Sequence, residues 1–226
     1  MAQEKLEVLY EDNHIIAINK RSGHIVQGDK TGDKPLSELV KEHLKEKYNK
    51  PGAVFTGVVH RIDRPVSGVI LFAKTSKALS RLNKMFQDKQ IQKTYWALVK
   101  NTPNNTEEHL VHYLKKNQSK NKSSAYPKMI EGALKSELKY TVIKKLNSYS
   151  LLEVSPYTGR HHQIRVQLST IGSPIKGDLK YGAKRSNPDG SVSLHARQIE
   201  FLHPVKKEPI SITAPPPNDP IWNACL

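Results

Sequence analysis

One stretch constrains this chain more than any other: Val58 to Lys74, reading VVHRIDRPVSGVILFAK. Two apolar runs, Val58–Val59 and Val69 to Ala73, bracket a knot of charge in which Asp63 stands between Arg61 and Arg64, with His60 alongside. Short uninterrupted apolar runs predict buried strands, and Pro65, Ser67 and Gly68 predict a tight connection between them. A carboxylate in such a turn is rigidly aimed, and two flanking guanidinium groups are expected to keep it charged. Structural ion pairs share this local pattern, so the stretch alone assigns no chemistry.

With 226 residues, 37% of them hydrophobic and 25% charged, the chain can bury a sizeable core. No apolar run approaches the ~20 residues of a membrane span, and the N-terminal MAQEKLEVLYED lacks the apolar core of an export signal. The single cysteine, Cys225, excludes an internal disulfide and a cysteine-based metal site. A cytoplasmic protein is the expectation. Charge is more informative: 36 Lys and Arg oppose 21 Asp and Glu, a formal net of +15. Such an excess favours a polyanionic partner whose counterions are released on binding. Nucleic acid fits better than a membrane surface, because neither a basic amphipathic helix nor a lipidation signal is present.

Along the chain, Leu6 to Tyr10 and His14 to Lys20 predict two strands joined at Glu11-Asp12-Asn13. Asp33-Lys34-Pro35 signals a helix start before Leu36, Leu39, Val40 and Leu44, with a stop near Asn49 to Gly52. Ser76 can cap a helix bearing Ala78, Leu79, Leu82, Met85 and Phe86 on one face. Thr94 to Val99 reads as a strand. Residues 106 to 132 show little period, and the basic run Lys115 to Lys122 predicts a mobile loop or hairpin tip. Glu137 to Leu146 and Tyr149 to Ser155 predict a pair turning at Asn147-Ser148. A helix opens at Thr158-Gly159-Arg160, with Ile164, Leu168 and Ile171 as its stripe. Leu194 to Leu202 and Ile210 to Thr213 are late strands, and a tail runs from about 215 to 226. Without repeat, linker or composition break, the expectation is a single α+β domain over 1–226: a mixed, largely antiparallel sheet with flanking helices.

Two further blocks carry chemistry-bearing residues. The first is Lys93-Thr94-Tyr95-Trp96-Ala97. The second is Gly159 to Val166 (GRHHQIRV), continued by Gly172-Ser173-Pro174-Ile175-Lys176-Gly177-Asp178 and Tyr181-Gly182. A strand tyrosine is ordinarily a packing residue, and Arg165, next to the core residue Ile164, could reach inward. Neighbouring His161 and His162 would point apart on a helix, which disfavours a shared metal. His109 and His112 have a usable spacing but lack a third ligand.

His60-Arg61-Ile62-Asp63-Arg64 followed by Ser67-Gly68 resembles the signature of the RluA-type pseudouridine synthases. The Lys93 and Gly159 blocks, and Leu194-His195-Ala196 with Phe201-Leu202-His203-Pro204, are similar to that family's later motifs in the same order. Ile62, Pro65-Val66 and Gln167 depart from the usual residues. The departures at Pro65 and Val66 leave open what supplies the turn's hydrogen bonds. The resemblance covers about Leu6 to Pro216 and implies the form without the extra N-terminal RNA-binding domain.

It implies the pseudouridine synthase catalytic fold and the isomerisation of uridine in structured RNA, rRNA or tRNA, to pseudouridine. Asp63 would be the acting carboxylate, either attacking the anomeric carbon or assisting loss of the neighbouring sugar proton. Tyr95 would stack on the uracil and accept a proton late in the reaction. Arg165 would partner the aspartate. Arg61, His60, Arg64, Arg160, His162 and Gln163 would meet the flipped nucleotide and its phosphates. No cofactor and no metal is implied, and a monomer acting on RNA is expected. Two alternatives differ in kind. A non-catalytic RNA-binding protein on this fold would not need Asp63, Tyr95 and Arg165 together. A retaining hydrolase would need a second carboxylate ~5 Å from Asp63, with Asp178 and Glu153 as candidates.

Overall fold

The computed structural model describes residues 6–226, so the first five residues of the expected domain lie outside the described part. In chain order the strands are β1 Val8–Glu11, β2 Ile15–Lys20, β3 Gly57–Val58, β4 Ser67–Ala73, β5 Gln92–Val99, β6 Glu107–Asn117, β7 Lys122–Tyr126, β8 Leu134–Lys145, β9 Ser150–Pro156, β10 Leu194–Leu202 and β11 Pro209–Thr213. The helices are α1 Leu36–Lys47, α2 Ser76–Gln87, α3 Gln163–Thr170 and α4 Pro220–Asn223. This is the expected α+β class, strands dominating a few helices. Two compact units are present. One is Met1–Gln92 with Ala196–Pro217, and the other is Lys93–His195 with Asn218–Leu226.

In the first unit β2 pairs antiparallel with both β1 and β4, and β3 pairs with β4. Every residue of β4 is buried, as its uninterrupted apolar run requires. Gly68 opens β4 at φ +115, and a Cβ there would overlap the backbone of Ala196. Only glycine fits that approach. Helix α1 buries Leu36, Val40 and Leu44 against Ile16, Ile18 and Phe72. Thr75, rather than Ser76, caps α2: its hydroxyl accepts the Ala78 N–H at 3.1 Å, so Ser76 is the first helical residue.

In the second unit β5, β9, β8, β6 and β7 pair antiparallel in that order. Residues 106–132, which show little period in sequence, form a long hairpin, β6–β7, and its tip Gln118–Asn121 falls within the basic run expected as a loop or hairpin tip. The strands escape the sequence pattern because Leu110 and Leu114 are β6's only buried residues. Backbone pairing, not side-chain alternation, builds this hairpin. Helix α3 begins at Gln163, later than its expected start at Thr158, and buries all of Gln163 to Leu168 rather than a stripe. The expected tail ends in α4, capped by Asp219, with Trp222 packed against Leu98 and Leu151.

One ionic cluster fixes the β1 end of the first unit. Glu11 accepts from Lys74 and Lys47, each at 2.7 Å, and from the Tyr48 hydroxyl at 2.8 Å. Burial pushes the Glu11 carboxyl up, but these donors outweigh it and bring it to about 2. A carboxyl depressed on folding adds stability above its ordinary value of 4.5, and loses it as pH falls towards about 2. Glu11→Gln should therefore cost roughly 2 kcal/mol at pH 7, allowing for solvent screening at Lys47. Denaturant unfolding of both proteins should show that gap closing as the pH falls from 4.5 to about 2.

Candidate active site

Asp63 sits half-buried in the turn that leads into β4. The Val66 N–H closes that turn on the Asp63 carbonyl at 3.0 Å. The segment after β2 grips it from the other side. The Gly23 N–H reaches the Arg64 carbonyl at 2.9 Å, and the Ser22 hydroxyl donates to the Pro65 carbonyl at 3.2 Å. Lys20, only 1% exposed, donates from Nζ to the carbonyls of Arg21, His24 and Arg64 at 2.9, 2.8 and 3.0 Å. These bonds hold the turn where Pro65 and Val66 depart from the family pattern.

Three carbonyl acceptors match the three protons of an ammonium group. Burial pulls the Lys20 ammonium down to about 7, with the Asp63 charge pulling it back up and Arg64 adding to the fall. The expected Asp63–Arg64 neighbourhood needs correction: the Arg64 guanidinium turns outward to Asp33 at 2.7 Å. Lys20 is the cation of this unit that the sequence reading missed. It ends the apolar run HIIAINK, where a lysine ordinarily turns to solvent. His60, expected to meet substrate, accepts the Leu71 N–H on Nε2 at 3.0 Å and stacks on Phe86 at 5.0 Å, so it braces β4. Arg61 is exposed.

The second unit carries the other two blocks. Tyr95 is half-buried on β5, opposite Val154 of β9. Burial lowers the Lys93 ammonium, and a Cβ at Gly159 would lie 3.9 Å from its Nζ, so the two blocks meet here. Arg165 is buried on α3, where Nε and Nη2 donate to the two oxygens of Asp178 at 2.7 and 2.8 Å. This side-on pair fixes the plane of the guanidinium. Asp178, weighed from sequence as a second reacting carboxylate, is 1% exposed and is the anchor of Arg165. Glu153 is exposed on β9.

The turn before α3 differs from expectation. His162 has φ 55, the left-handed region, and precedes the helix. That backbone brings His161 and His162 face to face, ring centroids 3.7 Å apart, instead of pointing them away from each other. Gln163 pins the turn: its Oε1 accepts from the Thr158 hydroxyl and the Arg160 N–H at 2.8 and 3.0 Å, and its Nε2 donates to the Glu137 carbonyl. Arg160 is exposed ahead of the helix, not at its first turn, and its Nε donates to the Lys135 carbonyl at 3.4 Å. Tyr181, which sequence reading left without a role, contacts His162, Arg165 and the tip end of the hairpin at Ser123. Among the described residues no three His, Cys, Asp or Glu gather into a metal-holding group.

The Asp63 turn yields a direct test. Lys20→Met removes all three bonds to the carbonyls, leaving the Arg64 oxygen with the Gly23 N–H and taking the ammonium from the Arg21 and His24 oxygens. It should cost roughly 3 kcal/mol in urea unfolding, whereas Arg64→Ala, which breaks an exposed pair, should cost under about 1 kcal/mol.

Comparison with known proteins places these features in a family. A family model described as RNA pseudouridylate synthase matches residues 14–170, which include the Asp63 turn, the Tyr95 strand and Arg165. Ribosomal large subunit pseudouridine synthase C of Vibrio vulnificus (strain CMCP6) is 35% identical over 214 residues, covering 92% of this chain. The tRNA pseudouridine synthase C of Pectobacterium carotovorum subsp. carotovorum is 30% identical over 227 residues, again 92% of this chain. The chain spans 65% of the length of the first relative and 58% of the second. In fold it is similar to human RNA Pseudouridylate Synthase Domain Containing 4, with a TM-score of 0.81 at 22% identity, covering 97% of this chain and 92% of that one. The chain belongs to the RNA pseudouridylate synthase family, on its RluA-type branch.

Proposed function

We propose that this chain isomerises uridine in structured RNA, rRNA or tRNA, to pseudouridine, with Asp63 as the acting carboxylate. The observation that carries the reading is the family match across the three motif blocks, joined to the way the first unit immobilises the Asp63 turn. Relatives on both kinds of RNA support the substrate class. Both units serve as one catalytic domain, acting in the cytoplasm as a monomer.

The reaction breaks the bond between the uracil N1 and the ribose C1′, turns the base and joins its C5 to C1′. Either Asp63 adds to C1′ as the base leaves, or it takes the neighbouring sugar proton. One carboxylate suffices for both routes. Tyr95 stacks on the uracil, and its hydroxyl receives the proton lost from C5. Arg165 acts with Asp63, its plane fixed by Asp178. A base inside folded RNA must first leave the stack, and exposed Arg61 answers the flipped nucleotide's vacated space or phosphate. Arg64 and Arg160 supply phosphate contacts that carry no sequence information. His60, His162 and Gln163 serve substrate binding indirectly, by shaping the turns that carry Asp63, Arg160 and Arg165.

RNA containing 5-fluorouridine tests the reading. A competent synthase forms a stable or rearranged adduct, a binding protein leaves the RNA unchanged, and release of free 5-fluorouracil would mark a hydrolase. Asp63→Asn should lower pseudouridine formation at least about a thousandfold with RNA affinity close to wild type. Arg165→Lys should lose roughly a hundredfold, because a point charge cannot reproduce the fork that Asp178 holds. The hairpin lysines provide a second measurement. Replacing Lys115, Lys116 and Lys120 by Gln should flatten the slope of log affinity against log salt by about 2. An unchanged slope would remove the hairpin from the RNA interface.

A further inference from the structure

The basic hairpin and the helix carrying Arg165 are joined by a buried polar network that the catalytic reading leaves unused. Its centre is Tyr181, 4% exposed. Its hydroxyl accepts the Ser123 N–H of β7 at 2.8 Å and lies 2.8 Å from His162 Nδ1. One ring contacts both cations: Arg165 Cζ is 5.2 Å and Lys122 Nζ 5.4 Å from its centroid. A second tie runs beside it. The Ser123 hydroxyl donates to the His161 carbonyl at 2.8 Å and lies 2.9 Å from His161 Nδ1. His161 Nε2 is 3.0 Å from the Asn121 side chain, and Lys180 Nζ donates to the Asn121 carbonyl at 2.9 Å. The stacked rings of His161 and His162 close the circuit.

Packing alone would not require this arrangement. A hairpin with two buried leucines is anchored weakly by hydrophobic area. Here its tip end, at Asn121 to Ser123, is tied to the turn and helix of Arg165 through directed polar groups, which fix angle as well as distance. We propose that Tyr181 is a positioning residue for Arg165. It holds the guanidinium and the tip end of β6–β7 as one body, so that RNA gripped by the hairpin lysines is registered to the reacting centre. The proposal rests on the isomerase reading for its consequence, but not for its geometry.

The test compares wild type, Tyr181→Phe, Ser123→Ala and the double variant. Tyr181→Phe keeps the ring over Arg165 and removes the hydroxyl from Ser123 and His162. Ser123→Ala keeps the backbone N–H and removes the tie to His161. Two measurements are made on each protein: exchange of the Arg165 Nε–H with solvent, by NMR without RNA, and single-turnover pseudouridine formation with RNA affinity. Both single variants should speed the exchange at least about fivefold, with melting within about 4 °C of wild type. Each should slow turnover about tenfold at unchanged affinity, and the double variant should be no slower than Tyr181→Phe. Unchanged Nε–H exchange would overturn the proposal. So would turnover losses that multiply in the double variant alongside a falling melting temperature, the signature of general loosening. If wild type makes no pseudouridine, the isomerase reading fails, while the exchange measurement still decides whether Tyr181 positions Arg165.

Discussion

A lysine ammonium enclosed by three backbone carbonyls underlies the geometry of the Asp63 turn. Burying an uncompensated ammonium would be prohibitive. Lys20 is tolerated because its three donors are met by carbonyls from residues 21, 24 and 64, and because the Asp63 charge opposes its loss of a proton. The arrangement works in both directions. The cation needs those carbonyls to remain buried, and the Arg64 carbonyl belongs to the turn that carries Asp63. Any swing of that turn would strip a donor from the carbonyl and a partner from the ammonium together.

The second unit solves a similar problem with different chemistry. Arg165 is also a buried cation, but its compensation is a full negative charge on Asp178, met side-on by two donors. Carbonyl dipoles around Lys20 neutralise it less completely, and burial leaves it close to titration. The Arg165 pair is locked in plane. Guanidinium suits that role because its donors are coplanar and its charge is not lost on burial. Each unit thus contributes one motif residue held through a buried cation: the Asp63 turn by Lys20 through the backbone, and Arg165, itself the cation, by the Asp178 carboxylate.

How much of this could be read from sequence depends on whether the cause is local. β4 was legible because a strand buried on both faces must be apolar throughout, and α1 because Leu36, Val40 and Leu44 repeat at helical spacing. The β10 strand matched its expected bounds, Leu194–Leu202. The hairpin was legible only at its tip, inside the basic run Lys115 to Lys122; its strands were not, since two buried leucines four residues apart fit a strand face and a helix face equally. Lys20 was missed because one of its three acceptors, the Arg64 carbonyl, belongs to a turn more than forty residues away. The α3 start was misplaced for a sharper reason. Thr158-Gly159 has the residue types of a helix entry, yet the Thr158 hydroxyl and Arg160 N–H both go to the Gln163 side chain, delaying the helix until that residue.

The backbone of His162 shows why that delay matters. A left-handed conformation costs a side-chain-bearing residue roughly 1–2 kcal/mol, and it persists where surrounding contacts over-determine it. At His162 those contacts are the Tyr181 hydroxyl on Nδ1, the His161 ring on its face and the Val166 N–H on its carbonyl at 3.0 Å. Glycine would adopt the same backbone without strain, but it would surrender both side-chain contacts. The left-handed residue sets the direction in which α3 leaves the turn, and Arg165 follows three residues later on a helix buried from Gln163 to Leu168. A helix so enclosed, packed on β6 and β7, cannot rotate to re-aim its arginine without displacing the strands. The strain at His162 is therefore coupled to the same hairpin end that Tyr181 grips, and the direction of Arg165 is fixed from its backbone as well as from its carboxylate partner.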